Sequence, residues 1–281
     1  MNNRIQPRSV SALSETMLIP LWAKATETLR ADGILHDAEA VRMMGLIDYD
    51  FDNFAKARTS QAGCCGRALL IDNITRNFIA EHPQAVVVQL GAGLDARFER
   101  LGRPAVAAWY DLDLPEVIDL RRRLLPESGN HYIGASLFDK GWTETVAAHN
   151  RPVLLILEGV LMYFEEREVQ AFFEMVARKL PGAEAALDAL PKMLAGRAKQ
   201  HDALKKINTK PPEFKWGIGQ ASELERWPGG IKLLSQTGLS SVCRKRYPWL
   251  LRLLYLSAWG RQNLDMPVLH LRINGFQTGI H

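Results

Sequence analysis

The spacing of hydrophobic residues separates an N-terminal helical part of the chain from a longer part in which strands and helices alternate. Apolar residues recur three and four positions apart between Leu18 and Leu29, and Gly33 follows as a stop signal. The same spacing predicts further helices at residues 37–46 and 67–79. We therefore expect residues 1–80 to form an N-terminal helical lid or cap region.

The pattern changes after residue 80. A short β-branched run at residues 85–90, preceded by Pro83 and ended by Gly91, is typical of a parallel strand that is buried on both faces. Similar patterns follow at residues 106–111, 131–134, 153–157, 184–188, 231–234 and 268–273. Helical patterns lie between the earlier ones, at residues 96–101, 115–125, 142–149 and 166–180. This alternation predicts an α/β, Rossmann-like domain over residues 81–281, with a seven-stranded, mostly parallel sheet, helices on both faces and one antiparallel strand near the C-terminus.

One long segment interrupts the alternation. Residues 190–227 combine the apolar Met193, Phe214 and Trp216 with several lysines and prolines, and they are too many for a plain connection. The segment follows the fifth predicted strand, whose C-terminal end should face a ligand crevice. We expect it to be a cap insertion that covers an acceptor pocket together with the N-terminal helices.

Composition and charge exclude several classes of protein. Hydrophobic residues make up 47% of the 281 residues and charged residues 23%, which is ordinary for a globular protein. The net charge of +4 is small, and the basic runs at residues 121–123 and 244–246 favour solvated surfaces over nucleic-acid contacts. The three cysteines and seven histidines show no metal-ligand spacing, and Cys64 and Cys65 fit a helix core. Without a leader-like N-terminus or an apolar run of about 18 residues, we expect a cytoplasmic protein with no membrane contact.

The strongest local motif is a strand that runs through a glycine loop into a helix. It reads VVVQLGAGLDAR over residues 86–97. Glycine allows a tight turn and lets a ligand approach the backbone, and the amide groups of the following helix can face an anionic group. Taken alone, Gly91 and Gly93 fit a dinucleotide loop equally well, and a simple tight turn also remains open.

An acidic pair closes the next predicted strand. The sequence WYDLD at residues 109–113 places Asp111 twenty residues after Gly91, with Asp113 two residues further on. A carboxylate at that position can accept hydrogen bonds from both ribose hydroxyls of a nucleoside. We expect at least one of the two to bind ribose, although Asp113 also fits a helix N-cap ahead of Pro115.

The end of the fourth strand favours a cofactor without a pyrophosphate. Residues 157–164 read LEGVLMYF, so Glu158 lies at the C-terminal end of a strand and an apolar wall follows it. A carboxylate there suits the ammonium group of a methionine moiety and the charge of a sulfonium. An NAD-dependent oxidoreductase fits less well, because about 80 helical residues precede the glycine strand.

These motifs together make a family resemblance specific. The chain from about residue 40 to the C-terminus resembles the leucine carboxyl methyltransferase superfamily, most closely the branch of tetracenomycin-type polyketide O-methyltransferases. The matching pieces are LGAGLDAR at 90–97, WYDLDLP at 109–115, LEGVLMYF at 157–164, EFKWG at 213–217 and HLR at 270–272. The resemblance implies an S-adenosyl-L-methionine-dependent methyltransferase and a small-molecule acceptor, and the short basic runs already argue against a nucleic-acid partner.

The resemblance also implies cofactor-binding roles for individual residues. Arg67 matches the arginine that holds the cofactor carboxylate, a task that suits a bidentate guanidinium. Gly91 matches the glycine under the methionine part, and Gly93 belongs to the same cofactor-binding loop. Asp113 matches the ribose-binding acid, with Asp111 beside it, and Glu158 the carboxylate that faces the methionine end. Ser136 and Leu137 fall where the family frames the adenine. The carboxyl methyltransferases carry an aspartate at the position of Ser136, so Asp139 is an alternative for the adenine edge.

The sequence identifies no catalytic base. Methyl transfer from a sulfonium requires mainly that an acceptor oxygen be held in line, about 3 Å from the methyl carbon, in a dry site. A carboxylate acceptor needs no base, whereas a hydroxyl would benefit from one, and Tyr163 and His201 are weak candidates. The main expectation is an O-methyltransferase acting on a hydroxyl or carboxyl group of a polyketide-like molecule. The alternatives are an NAD-dependent oxidoreductase and a catalytically silent protein that binds S-adenosylmethionine.

Overall fold

Three helices precede the sheet in the computed structural model, which describes residues 5, 15–198, 202–207, 210 and 212–276. They are α1 (Leu18–Thr28), α2 (Ala38–Leu46) and α3 (Arg58–Glu81). The apolar spacing of α1 places Leu18, Leu21 and Trp22 in the interior. Asp37 caps α2 by accepting a hydrogen bond from the amide of Ala40 at 2.9 Å. The structure therefore contains the helices that the spacing predicts, with α3 beginning well before residue 67.

Seven strands form one sheet. They are β1 (Val86–Leu90), β2 (Ala108–Asp113), β3 (His131–Gly134), β4 (Val153–Leu157), β5 (Ala183–Asp188), β6 (Ile231–Gly238) and β7 (Pro267–Ile273). Their order is β3-β2-β1-β4-β5-β7-β6. The first five strands pair in parallel, and β7 runs antiparallel to both β5 and β6. The Rossmann-like, mostly parallel sheet with one antiparallel strand is confirmed.

Helices cover both faces of this sheet. Those that follow β1 are α4 (Arg97–Arg100), α5 (Pro115–Leu124), α6 (Gly141–Ala147), α7 (Glu166–Lys179), α8 (Ser240–Cys243), α9 (Trp249–Leu254) and α10 (Ala258–Leu264). Side chains alternate across β1, so Val86 and Val88 pack with Phe172 of α7, whereas Val87 packs with Ile71 of α3. Burial on both sides explains why the strand is a continuous apolar run.

Two sequence-based expectations are wrong in detail. The second strand begins at Ala108 and ends at Asp113, not at residues 106 and 111, because β2 pairs with β1 from Ala108 opposite Val86. Asp113 is therefore the last residue of the strand. Arg121 was expected on a solvated face, but its side chain is fully buried against Asp111 at 3.2 Å.

The segment between β5 and β6 packs in two directions. Phe214 and Leu204 share a buried cluster with Leu18 and Met43 of the N-terminal helices. Trp216 is 2% exposed and instead belongs to the cluster around the sheet. Trp216 is thus a core residue and not the wall of a lid. The division into an N-terminal cap region (1–80) and a core (81–281) stays a prediction.

Candidate active site

The glycine loop places backbone without side chains at the C-terminal ends of the parallel strands. Gly91 and Gly93 have φ angles of +67° and +51°, a region that residues with a Cβ avoid. A Cβ on Gly91 would also lie 2.5 Å from Cγ2 of Val160. The turn after β1 thus requires glycine at residue 91 for two reasons, and it leaves the backbone open to a ligand.

A cavity of about 270 Å³ lies beside this loop. Seven of the eight predicted cofactor-binding residues line it: Arg67, Gly91, Gly93, Asp113, Ser136, Leu137 and Glu158. They come from α3 and from the ends of β1 to β4, where ligands bind in open α/β sheets. Their individual roles stay predictions.

The two acids of β2 have different surroundings. Asp113 lines the cavity and accepts hydrogen bonds from the amides of Gly93 and Leu114, both at 2.7 Å. Burial raises the pKa of Asp113, although these amide donors oppose the shift. Asp111 does not line the cavity, because its fully buried carboxylate pairs with Arg121 and with Asn130. The prediction that Asp111 contacts the ribose is therefore wrong.

The predicted adenine region lies after β3. Ser136 and Leu137 line the cavity there, and Leu137 is buried. Asp139 does not line it, since its carboxylate accepts a hydrogen bond from the Ser136 amide at 2.9 Å and so holds the loop. Asp139 acts here on the loop conformation and does not replace the missing aspartate at the cavity surface.

Charged side chains are concentrated at the other end of the cavity. We call them the buried charge network; ion pairs join four cations and five carboxylates, namely Lys24, Arg67, Arg97, Arg100, Asp37, Asp72, Asp95, Glu158 and Asp188. Glu158 lies at its centre, in contact with Lys24 at 3.4 Å, Arg67 at 3.3 Å and Arg97. Burial opposes ionisation of Glu158, but Lys24 and Arg97 hold its pKa below the usual value. Glu158 therefore presents a stable negative charge.

Arg67 connects α3 to the ends of β4 and β5. Its guanidinium pairs with Glu158 at 3.3 Å and with Asp188 at 3.2 Å, and the amide of Gly159 donates to Asp188 at 2.6 Å. Gly159 has a φ of +70°, and a Cβ there would lie 2.6 Å from Nη2 of Arg67. Only glycine at residue 159 lets the guanidinium lie against the backbone.

Lys24, Gln89 and Asp95 are among the cavity residues that the sequence analysis missed, and it also missed Asp188 beneath Arg67. Lys24 follows Leu21 by three residues on the apolar side of α1, and a lone charge on that side was an available signal. Gln89 is equally unusual within an apolar strand. Its Nε2 donates to Asp95 at 2.9 Å, and its buried Oε1 has no hydrogen-bond partner among the described residues. An orphaned acceptor at a cavity wall is suited to an N–H group of a ligand.

A second cavity, of about 390 Å³, adjoins the first. The two share Thr16, Pro20, Arg67 and Tyr163. Half of the residues that line the second cavity come from the segment after β5 and from the region of the C-terminal helices: Leu190, Leu194, Arg197, Asp202, Leu204, Phe214, Tyr247, Tyr255, Leu264 and Met266. Asp202 pairs with the hydroxyl of Ser60 and accepts from the Thr59 amide at 3.1 Å, which joins this segment to α3.

The structure describes only one of the two candidate bases, Tyr163. Tyr163 lies where the cavities meet, and burial raises its pKa to about 12. Such a phenol stays protonated at neutral pH and is poorly suited to take a proton. His201 lies outside the described residues.

The sheet order, the glycine loop and the charged cavity are those expected of an S-adenosylmethionine-dependent methyltransferase. A model of the family named "Leucine carboxyl methyltransferase" matches residues 18–177. The chain belongs to the leucine carboxyl methyltransferase family, and the predicted resemblance is confirmed. The same finding decides against an NAD-dependent oxidoreductase.

Individual relatives cover most of the chain. The tetracenomycin polyketide synthesis O-methyltransferase TcmP of Streptomyces glaucescens is 35% identical over 81% of this chain and 83% of its own length. The S-adenosyl-L-methionine-dependent methyltransferase dpfgK of Gibberella zeae is 24% identical over 80% of this chain and 81% of its own. A putative methyltransferase of a Parafrankia strain is 25% identical over 83% of this chain and 76% of its own. S-adenosyl-L-methionine is thus the cofactor of this chain.

Proposed function

We propose that the protein transfers a methyl group from S-adenosylmethionine to a hydroxyl or carboxyl oxygen of a polyketide-like small molecule held in the second cavity. One observation carries the proposal: the cavity beside the glycine loop and the larger cavity meet at Thr16, Pro20, Arg67 and Tyr163. A cofactor in the first and an acceptor in the second would therefore face each other across these side chains. The similarity to a polyketide synthesis O-methyltransferase supports an acceptor of that class.

The residues of the first cavity fit the parts of the cofactor. Asp113, Ser136 and Leu137 line the cavity, which supports a role for Asp113 as acceptor from the ribose hydroxyls and for the other two as the frame of the adenine. The carboxylate of the methionine part suits Arg67 and Lys24, and its ammonium group suits Glu158 and the orphaned Oε1 of Gln89. Each charged end of the ligand thus finds side chains of opposite charge or complementary hydrogen bonding.

The second cavity favours an acceptor oxygen that is already ionised. When bound, S-adenosylmethionine supplies an electrophilic methyl group on a positively charged sulfur. Two arginines, Arg67 and Arg197, and one carboxylate, that of Asp202, lie in the walls, and Asp202 already accepts hydrogen bonds from Ser60 and Thr59. Arginine stabilises an oxyanion and lowers its pKa, so a carboxylate or an acidic phenol can react without a base. Apolar side chains such as Phe214 and Leu204 exclude water from the reacting atoms.

Methyl transfer can be tested together with cofactor choice. Calorimetric titration should detect binding of S-adenosylhomocysteine and none of NAD. The enzyme should then be incubated with isotopically labelled S-adenosylmethionine and matched aromatic acceptors that carry a carboxyl, a phenol or neither group. We expect a mass increase of one labelled methyl for the first two and none for the third. Binding of S-adenosylhomocysteine without transfer to any oxygen acceptor would instead indicate a silent cofactor-binding protein.

A further inference from the structure

A second surface of the molecule exposes large apolar side chains. It lies on α9, α10 and the turn between them, and we call it the Trp249–Trp259 patch. Its members and their exposed fractions are Trp249 (70%), Leu250 (55%), Leu253 (55%), Leu256 (58%) and Trp259 (56%). Residues 249 and 250 both lie on the side of α9 that carries residue 253, because they are four and three positions before it, and such positions are neighbours on a helix. Several large apolar side chains exposed within one short segment are typical of an interaction site.

The inner side of the same segment is firmly packed. Tyr247 and Tyr255 are buried, and their rings contact each other with centroids 5.4 Å apart. Arg246 pairs with Glu27 of α1 at 2.8 Å. The segment is therefore anchored from within, so the outward position of the apolar side chains belongs to the folded protein.

The charge of this segment is entirely positive. Residues 240–264 contain five arginines and lysines and no aspartate or glutamate. Arg244, Lys245 and Arg252 are exposed, and within the described ranges no ion pair joins them to a carboxylate. Apolar side chains that include tryptophan, bordered by exposed cations, are the composition of segments that lie in the interface of an anionic membrane.

The same charges argue against a second copy of the chain as the occupant. In a symmetric dimer built on this patch, the cations of one copy would face those of the other, and like charges at an interface are unfavourable. None of the helices in the described part of the chain combines the length and hydropathy needed to span a bilayer. Docking at the membrane surface requires no spanning helix. The lack of one therefore does not exclude membrane contact, although the sequence analysis expected none.

We propose that the Trp249–Trp259 patch docks on an anionic lipid surface, with Arg244, Lys245 and Arg252 at the headgroups and the tryptophans and leucines among the upper acyl chains. Tyr247 and Tyr255, on the inner side of the segment, line the second cavity. If the proposed function holds, the acceptor pocket thus lies behind the membrane-facing surface, a position suited to an apolar acceptor that partitions into lipid.

Vesicle sedimentation tests the docking with the full chain. The probes are vesicles of phosphatidylcholine alone and of phosphatidylcholine mixed with phosphatidylglycerol. We expect the protein to sediment with the anionic vesicles only, less so at high salt, and its tryptophan emission to shift to the blue. A cation near an anionic surface contributes roughly fivefold to partitioning, so the variant Arg244→Gln, Lys245→Gln, Arg252→Gln should lose on the order of 100-fold. The variant Trp249→Ser, Leu253→Ser should also lose binding, although its charge is unchanged.

A matched control removes the same charge elsewhere. Arg122→Gln, Arg123→Gln, Arg178→Gln alters three exposed cations outside the segment and should sediment like the wild type. Titration with S-adenosylhomocysteine should give the same affinity for every variant, which separates docking from cofactor binding and verifies folding. No sedimentation of the wild type, or an equal loss in the control variant, would overturn the proposal. So would a dimer in sedimentation velocity that Trp249→Ser, Leu253→Ser dissociates, because a second copy would then be the occupant.

Discussion

The guanidinium of Arg67 lies 3.3 Å from the carboxylate of Glu158 at the edge of the cofactor cavity. These two groups are proposed to hold opposite ends of the methionine moiety, yet in this structure they hold each other. A zwitterionic ligand can enter such a pair because its carboxylate and ammonium group replace the contacts that they displace. Asp188 and Lys24 help to keep the two side chains in place.

Substitution of Arg67 tests this exchange. Arg67→Gln should weaken S-adenosylhomocysteine binding by about 2–5 kcal/mol, the usual loss when one partner of a buried charge pair is removed. Arg67→Lys keeps the charge but not the planar fork, so calorimetry should find an intermediate affinity. Denaturation of both variants provides the control for folding. If both bind as tightly as the wild type, Arg67 does not hold the cofactor carboxylate.

The two acids of β2 should separate in their effects. Asp113→Ala should weaken S-adenosylhomocysteine binding by roughly 1.5–3 kcal/mol, because it removes an acceptor of charge-assisted hydrogen bonds. Asp111→Ala should leave the affinity nearly unchanged, but it should lower the free energy of unfolding by about 3–5 kcal/mol because the buried Arg121 then has no carboxylate partner and keeps only its hydrogen bond to the carbonyl of Gly93. Titration and chemical denaturation of both variants measure the difference. An unaltered dissociation constant for Asp113→Ala would rule out its ribose contact.

The raised pKa of Asp113 predicts a pH dependence. Acceptance of ribose hydroxyls favours the ionised carboxylate, so affinity for S-adenosylhomocysteine should fall on acidification at a pH where an ordinary aspartate is still charged. Because the pKa is raised, this carboxyl adds stability at low pH and loses that contribution as the pH increases, so unfolding caused by Asp113 cannot produce the decline. Titrations between pH ~4 and 7 should show the decline in the wild type and a flatter profile in Asp113→Asn. Identical profiles would contradict the assignment.

A glycine comparison isolates the contact with Arg67. Gly159→Ala should weaken S-adenosylhomocysteine binding, because the new methyl group displaces the guanidinium. Gly182 also has a positive φ, of +85°, but a Cβ there would meet nothing within 4 Å. Both substitutions should cost about 1–2 kcal/mol of stability from the backbone alone. A loss of affinity in Gly182→Ala as large as in Gly159→Ala would show that the effect comes from strain and not from Arg67.

Substitutions of two aromatic residues of the cap insertion should have different effects. Phe214 lines the second cavity, so Phe214→Ala should reduce methyl transfer to the acceptor while affinity for S-adenosylhomocysteine changes little. Trp216 lies in the core around the sheet, and Trp216→Ala should lower the free energy of unfolding by about 3–5 kcal/mol. Kinetics with varied acceptor and thermal denaturation distinguish the outcomes. An unchanged acceptor KM and kcat in Phe214→Ala would mean that the acceptor binds elsewhere.

The sequence predicts the sheet well because the signals there are local. The apolar run before Gly91 and the regular alternation of strands and helices do not depend on distant contacts. The limits of β2 were shifted because pairing with β1, which no local pattern records, sets the register. The wrong prediction for Asp111 has the same origin. Its residue type and position fit a ribose contact, but the sequence does not show that its partner Arg121 is buried.

The ion pairs between residues distant in the sequence were the hardest part of the site to predict. Lys24 and Glu158 lie far apart in the chain, and their contact depends on how α1 packs over the ends of the strands. The family resemblance supplied Arg67, and the pattern at the end of the fourth strand supplied Glu158, but neither indicated Lys24, Asp95 or the orphaned oxygen of Gln89. Trp216 shows the converse limit, since an aromatic residue in an insertion has the same sequence signature whether it lines a pocket or fills a core.

The buried charge network contains five carboxylates and only four cations. This formal excess of one negative charge attracts a sulfonium, which is positive, more strongly than the neutral thioether that remains after methyl transfer. We therefore expect the spent cofactor to leave the protein faster than the unreacted one. In that case methyl transfer itself would weaken the binding of the spent cofactor, and this loss of affinity would contribute to the rate of product release.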